Sequence, residues 1–128
     1  MSDKILGYKV LGRLIGANMN ITTDQAIVLT PSCIVTDVIV TNASISLTTA
    51  AGGVYTAISK GGTAIIAAAQ AYSALTAAGI AIKLSSTPSW ALITTGTAAT
   101  PLSIYFSLTT GQGGAATADI YVLGIDLG

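Results

Sequence analysis

Between residues 102 and 109 apolar and polar side chains alternate without a break: Leu102, Ile104, Phe106 and Leu108 against Ser103, Tyr105, Ser107 and Thr109. A period of two marks a half-buried strand. Gly111, Gly113 and Gly114 follow, residues able to reach positive φ in a turn. Residues 119–125 then form a second run rich in β-branched and aromatic side chains, the composition of a strand. The pattern predicts a hairpin over residues 101–127 that turns near Gly113. It would set Tyr105 opposite Tyr121 and Phe106 opposite Ile120, cross-strand pairs of the kind that stabilise sheets.

The same reading applied from the start gives a chain of short strands. Residues 1–20 mix Val10, Leu11, Leu14 and Ile15 with Gly7, Gly12 and Gly16, so neither period is clean. They are expected to form an N-terminal arm or an edge strand, with residues 21–128 as a single β domain. Residues 27–30 read as a strand stopped by Pro31, and residues 33–41 (CIVTDVIVT) as a central strand. Ile45 and Leu47 suggest a short strand before a bend. Residues 54–59 and 63–67 flank Lys60-Gly61-Gly62, a hairpin signal. Residues 68–78 carry high helix propensity, with Tyr72 and Leu75 at helical spacing; one helical turn, or none, fits a β context. Residues 80–84 and 90–93 complete the strands. Seven to nine strands with turn signals at intervals of about 8–12 residues predict an all-β fold. The expected architecture is an antiparallel β-sandwich or jelly roll with at most one short helix. The alternative is α+β, should residues 64–78 be a full helix.

Composition sharpens this picture at the surface. Charged residues are 8% of the chain against roughly 25% in soluble domains. Hydrophobic residues reach 52% with only 5% aromatic, so Ala, Ile, Leu and Val carry the apolar count. No charge occurs between Lys83 and Asp119, and the formal net charge is zero. Little self-repulsion keeps such molecules apart. The expectation is a subunit whose surface is covered by its own copies or by a larger assembly. Residues 61–82 are uncharged over a span long enough for a bilayer. Thr63, Gln70, Tyr72, Ser73, Thr76 and three glycines argue against a transmembrane helix. No secretion signal is read at the N-terminus.

Candidate chemistry is sparse. There is no histidine and no glutamate, and Cys33 is the only cysteine. The usual zinc sites and Ser/His/Asp or Cys/His nucleophiles therefore cannot be assembled from this chain alone. The acids are Asp3, Asp24, Asp37, Asp119 and Asp126. Asp119 and Asp126 lie seven positions apart, which on one strand means opposite faces and about 23 Å of separation. GQGG at 111–114 lacks the lysine of a phosphate loop. The five basic residues, Lys4, Lys9, Arg13, Lys60 and Lys83, form no nucleic-acid stripe. No catalytic residue, cofactor or metal is expected. The charge concentrated at the N-terminus nominates Lys4, Lys9 and Arg13 as partner-binding residues on a strap.

Two segments resemble small virion proteins encoded beside the capsid genes of tailed bacteriophages: VIVTNASISLTTAAGGVYTAISKGGTAIIAAAQAYSALTAAG (38–79) and LSIYFSLTTGQGGAATADIYVLGIDL (102–127). The resemblance implies a head decoration (cement) or other minor capsid protein, built as a β-sandwich or jelly roll, without enzymatic activity. Its implied partners are the major capsid protein or other virion proteins and further copies of itself, with no nucleic acid and no membrane. Its implied location is the virion, assembled in the host cytoplasm. The alternative is a receptor- or glycan-binding module of a tail fibre or tail tip, in which a Thr/Ser/Tyr-lined sheet face and Trp90 would stack on sugar.

Overall fold

The computed structural model describes residues 8–30, 33–85, 91–93 and 102–127. Nine strands follow in order: β1 Tyr8–Asn18, β2 Gln25–Val28, β3 Cys33–Thr41, β4 Ala51–Ala57, β5 Gly61–Ile66, β6 Ala81–Ser85, β7 Ala91–Ile93, β8 Ser103–Thr110 and β9 Thr117–Asp126. The front sheet has the order β1-β9-β3-β6, with β7 also on β3; the back sheet has the order β2-β8-β4-β5. Every pairing is antiparallel. First pairs with last, second with next to last, and so inward: β1 with β9, β2 with β8, β3 with β6 and β7, β4 with β5. Contacts β9·β3 and β8·β4 then close each sheet. This is the strand order of a jelly roll, which rolls one long hairpin into two layers.

The two layers share one core. From the back sheet come Ile27, Val54, Ile104, Phe106 and Leu108; from the front sheet come Leu11, Val35, Val38, Val40, Ile120 and Val122, all buried. Two bulges keep this pattern in step. Between Val35 and Asp37 the β3–β9 register shifts by one residue, so Val35 and Val38 both point inward while Asp37 points out. A second shift between Val10 and Gly12 lets Leu11 turn inward while Val10 and Arg13 stay outside. Without the extra residue, period two would have driven Asp37 into the core.

The hairpin expected over residues 101–127 does not form. Both halves are strands, but β8 lies in the back sheet and β9 in the front one. Tyr105 stands opposite Ala26 and Tyr55, and Tyr121 opposite Arg13 and Ile39. Phe106 is partnered by Gln25 and Val54, and Ile120 by Leu14 and Val40. Residues 111–116 form a crossover instead, long enough to cover the roughly 10 Å between stacked sheets. Gly113 takes φ 93° there, and Gly111 packs against the backbone of Asn20 too closely for a Cβ. Alternation identifies an apolar face but is silent on whether two such faces lie side by side or stack.

The crossover is tied to its neighbours at one end of the sandwich. The Gln112 amide N–H donates to Met19 O at 2.8 Å. Its side-chain Oε1 accepts from the Thr49 and Ala50 N–H groups at 2.9 and 3.1 Å, and Nε2 donates to Thr48 Oγ1. Gly113 N–H donates to Asn20 Oδ1.

One other expectation changes, and two open readings narrow. Ile45 and Leu47 lie in a loop, with Leu47 buried. Residues 68–78 contain no helix. Tyr72 and Leu75 are instead fully buried anchors, and the Tyr72 hydroxyl donates to Gly52 O at 2.9 Å. The Tyr72 ring meets Phe106 edge-on, with centroids 6.0 Å apart. Anchoring at two points overrides a weak propensity for helix. Residues 8–18 are the edge strand of the two N-terminal readings; residues 1–7 lie outside the described residues.

Phe106 is fully buried, so Phe106→Ala should cost about 3–5 kcal/mol in equilibrium urea unfolding. Ser107 lies on the opposite face, yet it too is buried, and its hydroxyl donates to Thr22 O at 3.4 Å. Ser107→Ala should therefore cost about 1 kcal/mol, still well below Phe106→Ala. Gln112→Ala strips two backbone donors of their acceptor and should cost about 1–3 kcal/mol in the same measurement.

Candidate functional site

The two outer faces differ sharply. On the back sheet the segment 22–24 and the β4–β5 turn close over the strands. Asp24 Oδ2 accepts the Ser59 N–H at 2.7 Å, and Lys60 Nζ donates to Thr22 O at 2.8 Å. Ser59 and Lys60 both sit at positive φ, 57° and 56°, and Gly61 N–H donates back to Ile58 O, closing a tight turn. Thr22, Thr23, Asp24, Ser59 and Lys60 line a shallow cleft. Beneath these segments Ser107 and Tyr55 are buried. The chain covers much of this face itself.

The front sheet has no such cover among the described residues. Buried Ala118, Ile120 and Val122 alternate along β9 with half-buried Tyr121, Leu123 and Ile125. Register extends each of these outward-facing positions into a row. Tyr8, Ile125 and Ile34 form one, and Val10, Leu123 and Asp37 the next. Arg13, Tyr121, Ile39 and Lys83 form a third, and Asp119, Thr41 and Ala81 a fourth. Tyr8 is 56% exposed and Val10 48%. Both faces of β9 and β3 are thus largely apolar, as in strands covered on both sides. Exposed apolar patches are common places of contact between proteins, and here the apolar positions are interspersed with Arg13, Asp37, Lys83 and Asp119.

The few charges on this face are held in place by their neighbours. Tyr8 reaches across β9, and its hydroxyl donates to Asp37 Oδ2 at 2.6 Å. Thr36 Oγ1 donates to the same oxygen, and Lys83 Nζ stands 3.8 Å from Oδ1. The Tyr8 hydroxyl chiefly holds the Asp37 carboxyl below its ordinary value, with Thr36 and Lys83 adding to it against partial desolvation. The same bond raises the Tyr8 phenol. Asp119 accepts from Gly16 N–H at 2.8 Å and from Asn42 Nδ2 at 3.0 Å.

Of the nominated strap residues, Lys9 and Arg13 lie within the described residues, on opposite sides of β1. Arg13 lies on the outer face. Lys9 stands opposite Gly124, on the other side of the sheet, and its Nζ is 2.8 Å from Asp126, whose side chain is 6% exposed. Its charge is paired within the chain, although the side chain remains 44% exposed. Lys4 lies outside the described residues, as does Trp90. Asp119 and Asp126 face opposite sides of β9. Cys33 is fully buried; burial, helped by the Asp126 charge, pushes its thiol up to about 11, the state of an unreactive packing residue. The described residues hold no group of three or more potential metal ligands.

The outer face of the front sheet escaped sequence reasoning, although its signal was present. IYVLGI and CIVTDVIV are apolar at successive positions rather than alternate ones, which calls for cover on both faces. Searches against family models, curated proteins and solved structures find no match to this chain.

The Tyr8–Asp37 bond makes a pH prediction. A carboxyl whose pKa is lower folded than unfolded adds stability above its unfolded value, 3.8, and loses it as pH falls through the folded value. A phenol whose pKa is raised on folding adds stability below its unfolded value, 10.0, and loses it as pH rises through the folded one. Tyr8→Phe should therefore lower the melting temperature at about pH 7. The gap to the wild type should close toward about pH 2 and narrow again above about pH 10, as followed by thermal denaturation across that range.

Proposed function

We propose that this chain is a non-enzymatic structural protein of a phage virion, a head decoration or minor capsid protein that binds the capsid lattice and reinforces it. The observation that carries the reading is the front sheet: a jelly roll whose back face is partly covered by its own segment 22–24 and β4–β5 turn, with Val28 still exposed, and whose front face has no such cover among the described residues. A lattice protein needs a contact surface of that kind. Four of the chain's ten charged residues, Arg13, Asp37, Lys83 and Asp119, lie on this face, so its burial requires that they be paired across the contact. Many copies on one lattice also make modest single contacts effective. The resemblance of residues 38–79 and 102–127 to small virion proteins points the same way.

The tail-fibre or glycan-binding alternative has less support. It called on a polar, aromatic sheet face, but on the back sheet Tyr55 and Ser107 are covered by the chain itself. Copy number separates the two. Quantitative mass spectrometry of the purified particle should find this chain in roughly the hundreds, in proportion to the major capsid protein. A handful per particle would favour the tail, and absence from particles would end the virion reading.

A further inference from the structure

The charges on the open face are placed so that the face complements itself. Take strands about 4.8 Å apart and alternate residues about 6.8 Å apart along each. Arg13 on β1 and Asp119 on β9 are separated by one strand across and one alternate position along. Asp37 on β3 and Lys83 on β6 are separated by the same displacement in the same direction. The sign is reversed, with the cation first in one pair and the anion first in the other. On this grid the line through the two midpoints is perpendicular to both displacements. A two-fold axis lying along that line, in the plane of contact, therefore exchanges Arg13 with Asp119 and Lys83 with Asp37.

We propose that the outer face of the front sheet is a homotypic interface, on which a second copy of this chain packs face to face about that diagonal axis. Arg13 of each copy meets Asp119 of the other, and Lys83 meets Asp37. Tyr121 and Ile39 fall within about 2 Å of the axis in projection, so each packs against its own counterpart at the apolar centre. The strands of the two copies cross at roughly 70°, near the orthogonal class of sheet packing. Such a contact is isologous, and it closes at two copies.

Charge balance fits a second copy, and size sets how tightly it binds. Four strands by four outward positions make a face of roughly 500 Å² on the same grid; crossed at roughly 70°, the two faces overlap over less than about 400 Å² each, or under about 800 Å² together. That is the range of weak association, so the dimer is expected toward the upper end of the micromolar range and above. The face carries two cations, Arg13 and Lys83, and two anions, Asp37 and Asp119, the balance a self-complementary surface requires. A strongly acidic or basic partner would leave half of them opposed.

The inference deepens the virion reading, but its test is independent of it. Sedimentation velocity on the full chain, from about 1 μM to about 1 mM, should show a monomer–dimer equilibrium. Arg13→Asp should raise the dissociation constant tenfold or more. Ile39→Asp, which sets two carboxylates against each other at the axis, should abolish the dimer. Val28→Asp, at an exposed position on β2, should leave it unchanged. Arg13→Asp mixed with Asp119→Arg should restore association, because each cross-interface pair then joins opposite charges. Asp119 also holds Gly16 and Asn42, so should Asp119→Arg not fold, Arg13→Asp and Ile39→Asp decide. A wild-type chain that stays monomeric throughout overturns the proposal. So does association indifferent to Arg13→Asp and Ile39→Asp, or one that Val28→Asp weakens equally. A monomer that nonetheless populates particles in high copy number would sink this interface alone; a dimer missing from particles would sink the virion reading alone.

Discussion

Gln112 sits where the connections of the sandwich meet, and the arrangement of both sheets depends on what it holds. Its backbone N–H is taken by Met19 O in the β1–β2 connection, and its side chain by Thr48, Thr49 and Ala50 in the β3–β4 connection. The crossover 111–116 is thereby tied across the end of the molecule, between β8 in the back sheet and β9 in the front sheet, where β9 lies between β1 and β3. In that place Ile120 and Val122 face the core and Tyr121, Leu123 and Ile125 lie outside. The open face goes together with a connection that crosses between layers instead of turning back within one.

A second closure acts at the side of the sandwich. Thr30, just beyond β2, gives both its N–H and its hydroxyl to Leu11 O, at 3.0 and 3.1 Å. Gly12 lies against Val28 with no room for a Cβ. The edge of β1 is thereby covered over part of its length, as edge strands in soluble proteins generally are.

Much of the fold was legible in the residues. β3 spans Cys33–Thr41 as its β-branched run indicates, and Phe106 lies on the buried face with Ile104 and Leu108. Pairing was not legible, because period two reports that a face is buried but not which layer buries it. Residues 68–78 take the helix-free of the two readings that the sequence leaves open: local propensity is worth tenths of a kcal/mol per residue, and the burial of Tyr72 and Leu75 outweighs it. Ser107 looked solvated by its place in the alternation, yet a distant loop covers it. The charged N-terminus suggested a strap, but in the fold Lys9 turns toward Asp126 and Arg13 turns outward. A linear cluster of charge becomes two unrelated positions once bulges and pleat are imposed. The open face itself was readable only as an excess, in strands more apolar than one buried side requires.

The proposed contact surface is the outer face of the front sheet, and a density map of the proposed virion at side-chain resolution tests it most directly. Tyr121, Leu123 and Ile39 should be buried against a neighbouring subunit, with the segment 22–24 and the β4–β5 turn still lying over the back sheet. A map in which Tyr121, Leu123 and Ile39 face solvent, while contacts run through the back sheet, would contradict it.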